Sequence, residues 1–390
     1  MDRSQKIMLR TLRASLFGKR PVFPDDTDWD AVIREAKEQT VMGLISPVIP
    51  VQDESGDFAK ACYMRMLYEQ NELVKLLDAN HIPCVILKGC AAAVYYPKPY
   101  LRSMGDIDFL VPHEKFRDAM KVMADNGYAY ENGLDEDGNL TGTKRHVEYM
   151  KDGLEYELHY RFSAKGVDID DILEDAISRR EYCEMNGFRV PILPEIENGL
   201  VLLGHLKLHL TYTNLGLRQV IDWAMYFSRV MNKEKWNGEF VPVLKKIRLY
   251  RLGVIMTKMC EKYLGISAPF VRIEKKDAEL CDAFWNMIMG NGNFGRKAEK
   301  SLTRYEKGAR SASFYIKKNG LFHYFQTVGV NRWELCKKYP VFKCFAWIYG
   351  MILSVGRGIR ILLTNPNARK QIAEGKKRFQ ALQKAGFMDK

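Results

Sequence analysis

Residues 85 to 112 read VILKGCAAAVYYPKPYLRSMGDIDFLVP, and the fold is decided here. A short apolar run from Cys84 to Leu87 ends at Lys88 and Gly89. An Ala-rich helical turn follows, the chain breaks at Pro97 and Pro99, and it returns as Asp106-Ile107-Asp108-Phe109-Leu110-Val111. Alternate residues of a strand face one side, so Asp106 and Asp108 project together with their backbones about 6 to 7 Å apart. Like charges so placed repel. A divalent cation between them resolves the repulsion, because hard Mg²⁺ takes carboxylate oxygens and brings substrate phosphates as further ligands. For these two residues alone, a solvated D-x-D at a strand edge is the alternative.

A second informative stretch, KRHVEYMKDGLEYELHYRF, covers residues 144 to 162. Asp152-Gly153 between two alternating runs predicts a two-residue hairpin turn. Lys151 then pairs with Leu154, Glu148 faces Glu157 and His146 faces His159. This register puts His146, Glu148, Glu155, Glu157 and His159 on one face and Val147, Tyr149, Tyr156 and Leu158 on the other. Facing carboxylates destabilise a strand pair, so a cation or a shared proton belongs between them. A hairpin with one solvated polar face is the alternative.

The order of strand, Gly turn, short helix, Arg-containing loop and D-I-D resembles the signature of the DNA polymerase β-like nucleotidyltransferase superfamily. More narrowly, L-K-G-x-A-x-x-x-x-Y followed by R-x-x-x-D-I-D-x-L-V is similar to an uncharacterised bacterial nucleotidyltransferase family within it. The close likeness runs from about Val85 to Arg161 and a looser one to about Trp223, with Cys90 standing where the superfamily has Ser or Gly. The resemblance implies an α+β fold: a small mixed sheet flanked by helices, then a mostly α-helical domain. It also implies metal-dependent transfer of a nucleoside monophosphate from an NTP such as ATP to an acceptor hydroxyl, with release of pyrophosphate. The acceptor is a small molecule or a protein side chain. Asp106, Asp108 and Glu157 would be catalytic and would hold Mg²⁺ or Mn²⁺, with Glu157, in E-L-H, as the third carboxylate. Lys88, Gly89, Cys90, Arg102 and His159 would surround the nucleotide. A catalytically silent scaffold of this fold, attached to a membrane or protein partner through its basic tail, is the second reading.

At 390 residues the chain is long enough for two domains and a tail, and 47% hydrophobic with 28% charged residues describes a folded protein. The start, M-D-R-S-Q-K, lacks the apolar core of a signal peptide, and the eight cysteines form no C-x-x-C pair. Together these lead us to expect free thiols, no zinc site and a cytoplasmic protein. The net charge of +12 is unevenly spread: residues 296 to 390 hold 21 Lys or Arg against 5 Asp or Glu, or +16, which leaves −4 for the rest. A slightly acidic catalytic part argues against a nucleic-acid partner, whose backbone needs several Lys or Arg contacts.

Four regions are expected: N-terminal helices over 1–80, a catalytic core over 81–190, a helical acceptor-side domain over 191–295 and a basic aromatic tail over 296–390. Within the first, Asp26 or Thr27 is read as an N-cap and the Met and Tyr stripe from Ala59 to Asn80 as core. Asn132 to Gly142, with a sequon at Asn139, reads as a mobile polar loop. From Val167 onward the chain reads as almost wholly helical, with a short strand or loop at Phe188 to Pro191. His205 and His209 share one helix face without the H-E-x-x-H pattern, so hydrogen-bonded histidines are expected rather than zinc ligands. Arg218 and Asp222 lie within an apolar helix, as an internal ion pair or as part of the acceptor site. Gly290 to Gly295 matches G-x-G-x-x-G by spacing, but it follows a helix and so fails the dinucleotide context. The tail from Tyr339 to Leu363 is apolar and aromatic, with an uninterrupted part shorter than the ~20 residues of a spanning helix. A contact of residues 339–390 with an anionic membrane surface and a packed tail helix with a solvated basic face both fit.

Overall fold

A computed structural model describes the chain except for residues 19, 135–144, 163–168, 213, 294–296, 298–303, 366 and 387–390. The polar insert read from Asn132 to Gly142 lies outside the described residues from 135 onward. The chain divides into two compact units, Met1–Phe294 and Gly295–Lys390.

In the first unit, α1 (Arg3–Phe17) begins with a capping box: Gln5 N donates to Asp2 Oδ1 at 2.8 Å while Asp2 N donates to Gln5 Oε1 at 3.2 Å. The next helix, α2 (Trp29–Glu38), is capped by Asp28 rather than by Asp26 or Thr27, because the Asp28 carboxylate is the one that reaches Ala31 N. α3 (Ser55–Ala79) buries Tyr63, Met66, Leu67, Gln70, Leu73, Val74 and Leu77, the three-and-four spacing of a helix with one face on a core.

β1 (Val85–Leu87), α4 (Gly89–Ala93) and β2 (Ile107–Leu110) follow, then α5 (Phe116–Asp125), β3 (Ala129–Asn132), β4 (His146–Lys151) and β5 (Leu154–His159). After α6 (Asp170–Ser178), the chain returns to the sheet as β6 (Glu181–Met185) and β7 (Phe188–Ile192). The seven strands lie in the order β3-β4-β5-β2-β1-β7-β6. The sheet is mixed, with β2 parallel to β5, β1 parallel to β7 and the remaining neighbours antiparallel. The fold is therefore α+β, as the resemblance implies.

The hairpin register predicted from Asp152-Gly153 is the one observed, His146 opposite His159 and Glu148 opposite Glu157. A second hairpin corrects the helical reading after Val167. Asn186 (φ 51°) and Gly187 (φ 81°) have the left-handed backbone of a two-residue primed turn, the same as Asp152 (φ 50°) and Gly153 (φ 73°). Alternation sorts the two sides of the sheet. Ile86, Ile107, Phe109, Val147, Tyr149, Tyr156 and Leu158 join the helices α3 and α5 in one apolar cluster. Asp108, Glu157 and His159 are left on the opposite side.

α7 (Glu195–Tyr212), α8 (Leu217–Val230), α9 (Tyr250–Leu264) and α10 (Lys275–Asn291) build the helical part of this unit. Trp223, Tyr226, Phe227, Trp236 and Phe240 form its aromatic centre, with ring centroids 5.5–6.2 Å apart. Polar ties fasten it to the strand region: Asn198 Nδ2 donates to Ala91 O at 3.0 Å, and Tyr96 Oη donates to Asp222 Oδ1 at 2.7 Å.

The second unit holds α11 (Arg304–Asn319), α12 (Leu321–Arg332), α13 (Ala346–Thr364) and α14 (Ala368–Lys384). α12 and α13 meet backbone to backbone: a Cβ on Gly329 would run into Ala346 O, and one on Gly350 into Phe325 O. The tail helix is longer than its charges suggested. It passes through Arg357 and Arg360 without a break, and the 25-residue stretch Pro340–Thr364 is long and apolar enough, by length and composition, to cross a membrane.

Candidate active site

The strands bring three carboxylates to one place. Asp108 lies directly opposite Leu87 on one side and Glu157 on the other, and Asp106 immediately precedes β2. One oxygen from each of Asp106, Asp108 and Glu157 fits within a sphere of contacts no wider than 4.8 Å. Lys88 follows β1 and turns its ammonium onto Asp108, with Glu157 Oε2 3.7 Å away. These groups line a cavity of about 270 Å³ together with His205, His209 and Arg218.

The turn that delivers Lys88 is strained. Its φ of 48° and ψ of −126° fall in a region that glycine favours and side chains avoid. The residue is held there between buried β1 and buried α4, so the cost falls on the position that aims the ammonium at the carboxylates.

Protons must be shared in this cluster. His159 Nδ1 lies 3.3 Å from Arg161 O, which fixes a proton on that nitrogen. His159 Nε2 lies 3.0 Å from Asp108 Oδ1 and 3.2 Å from Glu157 Oε2, so these contacts require a second proton on the ring or one on a carboxyl. Burial, helped by the charges of Asp106 and Glu157, pushes the Asp108 carboxyl up to about 7 against the pull of Lys88. Burial would raise Glu157 too, but Lys88 and the hydrogen bond from His159 outweigh it and hold that carboxyl well below the usual range. For Lys88 and His159 burial opposes the charge, and the carboxylates reverse it, so both sit above their ordinary values.

Two of the expected groups are engaged within the protein. Arg102 borders the cavity, but Nε and Nη2 meet the two oxygens of Asp222 at 2.7 and 2.8 Å, and Nη1 donates to Ser103 O. The partner is 120 positions away, so no local pattern marked it. Cys90 stays at the turn, but its side chain is only 3% exposed and belongs to the apolar cluster, where burial pushes the thiol up to about 12. Gly89 and His159 border the cavity.

His205 and His209 are hydrogen-bonded, as their spacing predicted, but to each other. Their Nε2 atoms lie 2.6 Å apart, and burial lowers both rings, His209 to about 3. One neutral ring donates and the other accepts. Arg218 donates to Ser103 O at 3.1 Å and borders the cavity, while Asp222 serves as the internal partner of Arg102. Arg145, which no motif in the sequence marks, also borders the cavity and donates to Phe162 O at 3.0 Å.

Three hard carboxylate donors with a lysine beside them fit a divalent cation such as Mg²⁺ or Mn²⁺. His146, Glu157 and His159 are likewise close enough to share an ion. The Nε2 of His159 is already bonded to both carboxylates, which favours the all-oxygen set.

No curated protein matches this chain. Among solved structures, the crystal structure of an antigenic nucleotidyltransferase-like protein from Paracoccidioides brasiliensis is similar, at 14% identity and a TM-score of 0.31 over 53% of this chain and 95% of that one. A likeness this distant carries no argument. The family described as "Uncharacterised nucleotidyltransferase" matches residues 25–265, from ahead of α2 to the Gly265 that ends α9. That span is well over half of the chain and takes in the whole sheet, and the chain therefore belongs to this family of uncharacterised nucleotidyltransferases.

Proposed function

We propose that the chain moves a nucleoside monophosphate from an NTP to an acceptor hydroxyl. The acceptor oxygen bonds to the α-phosphorus, the bond from that phosphorus to the bridging oxygen breaks, and pyrophosphate leaves. The observation that carries this reading is the register that sets Asp108 opposite Glu157 with Asp106 beside them.

Asp106, Asp108 and Glu157 would hold one or two divalent ions, which when bound stabilise the entering and leaving oxygens of an in-line displacement. In this reading Lys88 serves the triphosphate, and a cation held by the carboxylates would supply the positive charge that Lys88 now gives them. Its side chain already lines the cavity. Gly89 lets the phosphates approach the backbone at the start of α4. Glu157 lines the cavity opposite Asp108, and in this reading it completes the metal site or takes the acceptor proton. His159 orients Asp108 and Glu157 through its Nε2 and is itself fixed by Arg161 O. Arg145 and Arg218, which line the cavity, present positive charge to an incoming polyphosphate.

The test is incubation with each α-labelled NTP and Mn²⁺ or Mg²⁺, beside titration of Mn²⁺ binding. Wild type is expected to bind Mn²⁺ and release pyrophosphate, and Asp106→Ala with Asp108→Ala to lose both. If the double variant binds metal and nucleotide as well as wild type, the catalytic reading fails and a silent scaffold of this fold is left.

A further inference from the structure

We infer that the outer face of α13 docks on an anionic lipid bilayer and lies along its surface rather than through it. The inference is independent of the catalytic reading. Phe345, Ile348, Ile352, Val355, Ile359 and Leu362 recur at spacings of three and four, which gathers them into one stripe. Each is between 38% and 65% exposed, and Leu363 at the edge of the stripe is 81% exposed. Helices that cover a core bury this face, whereas only 11% of the apolar window of Pro340–Thr364 is buried. So many large aliphatic side chains in one contiguous band mark a contact surface rather than scattered exposure.

Charge chooses the occupant. Between Glu334 and Glu374 the chain has no acidic residue and seven basic ones: Lys337, Lys338, Lys343, Arg357, Arg360, Arg369 and Lys370. A second copy of the chain placed on this stripe would bring like charges together. An anionic headgroup layer is complementary, and each Lys or Arg near it adds to the attraction. Arg360, three residues before Leu363 on the helix, borders the stripe at headgroup level.

Packing chooses the orientation. The opposite side of α13 touches the backbone of α12 at Gly329 and Gly350, and α12 ends in exposed Asn331 and Arg332. A helix so covered cannot be ringed by acyl chains. With its free side apolar and Arg360 at the edge of that side it fits the boundary between headgroups and chains, buried to a depth of about 5–10 Å.

Flotation of the full chain with vesicles of phosphatidylglycerol and phosphatidylcholine, and with phosphatidylcholine alone, tests this. Sedimentation velocity without lipid gives the oligomeric state. We expect binding to the anionic vesicles that weakens steeply with salt and falls at least about tenfold on pure phosphatidylcholine. Ile352→Asp with Ile359→Asp changes only exposed positions, so the circular dichroism melt is retained while vesicle binding is lost. Arg357→Gln with Arg360→Gln keeps the stripe and lowers binding to the anionic vesicles by about tenfold. Three results overturn the inference: no vesicle binding by wild type, equal binding to both vesicle types, or a lipid-free dimer that the double Asp variant dissolves while wild type fails to float.

Discussion

Lys88 shows how one residue can be both strained and needed. Lys88→Gly removes a backbone cost of roughly 1–3 kcal/mol, but it also strands the buried Asp108 beside Glu157, and losing one partner of a buried ion pair costs about 3–5 kcal/mol. The second effect is larger. Without metal the variant should be less stable than wild type by about 1–3 kcal/mol in urea unfolding, and added Mn²⁺ should narrow the gap by supplying the missing positive charge. A metal-free variant more stable than wild type would show that the ammonium does not hold the carboxylates together.

The His205–His209 pair makes a prediction at the same scale. Both rings have folded values below the ordinary 6.5, so the unfolded chain takes up protons first as pH falls. Their stabilising effect is complete above pH 6.5 and is lost progressively as pH falls towards 3. At pH 5 the loss should be on the order of 1 kcal/mol per ring, allowing for their partial exposure. Urea unfolding at pH 7.5 and pH 5 should show it, and His205→Gln with His209→Gln should flatten the difference. An unchanged pH slope in the double variant would mean that these rings are not the neutral pair described. The spacing of the two histidines was legible in the sequence. Their mutual hydrogen bond was not, because a helix face says nothing about which rotamers meet.

Among the elements, the link between the loop after α4 and helix α8 depends on Asp222, which accepts from Tyr96 and from both edges of Arg102. Asp222→Ala leaves a 4%-exposed guanidinium without its counter-charge and should cost about 3–5 kcal/mol. Arg102→Met with Asp222→Leu removes both charges and should cost clearly less than the single change, as chemical denaturation would show. Equal losses would mean that packing, rather than charge, makes the link. The hairpins explain what could be read beforehand. Asp152-Gly153 stood between two runs that alternate cleanly, so turn and register followed from local chemistry. Asn186-Gly187 carries the same turn signal, but β6 is an edge strand with Glu181, Tyr182 and Glu184 exposed, and β3 is exposed throughout. Edge strands bury too little for alternation to show, and their pairing is set by neighbours far along the chain. The carboxylate site was legible because period two runs from Asp106 into β2 and along β5, while the ion pair of Arg102 was not, because Asp222 lies 120 positions away.

At the scale of the whole molecule, the division at residues 294 and 295 predicts two events in scanning calorimetry, one for each compact unit. A single transition whose calorimetric and van't Hoff enthalpies agree would contradict it. Charge divides at nearly the same point, −4 before residue 296 and +16 from there on, so raised salt should change the behaviour of the second unit far more than that of the first. Composition made this contrast visible at once. It could not show the continuity of α13 through Arg357 and Arg360, which arises because long basic side chains leave a helix surface without breaking its hydrogen bonds.

The touching glycines of α12 and α13 have a mechanical consequence. With no side chain between the two backbones, they sit in a keyway, and neither helix can roll about its long axis without a main-chain collision. The greasy flank of α13 is therefore locked outward by geometry, and a bulky residue at position 329 or 350 would unlock it without altering any atom of that flank.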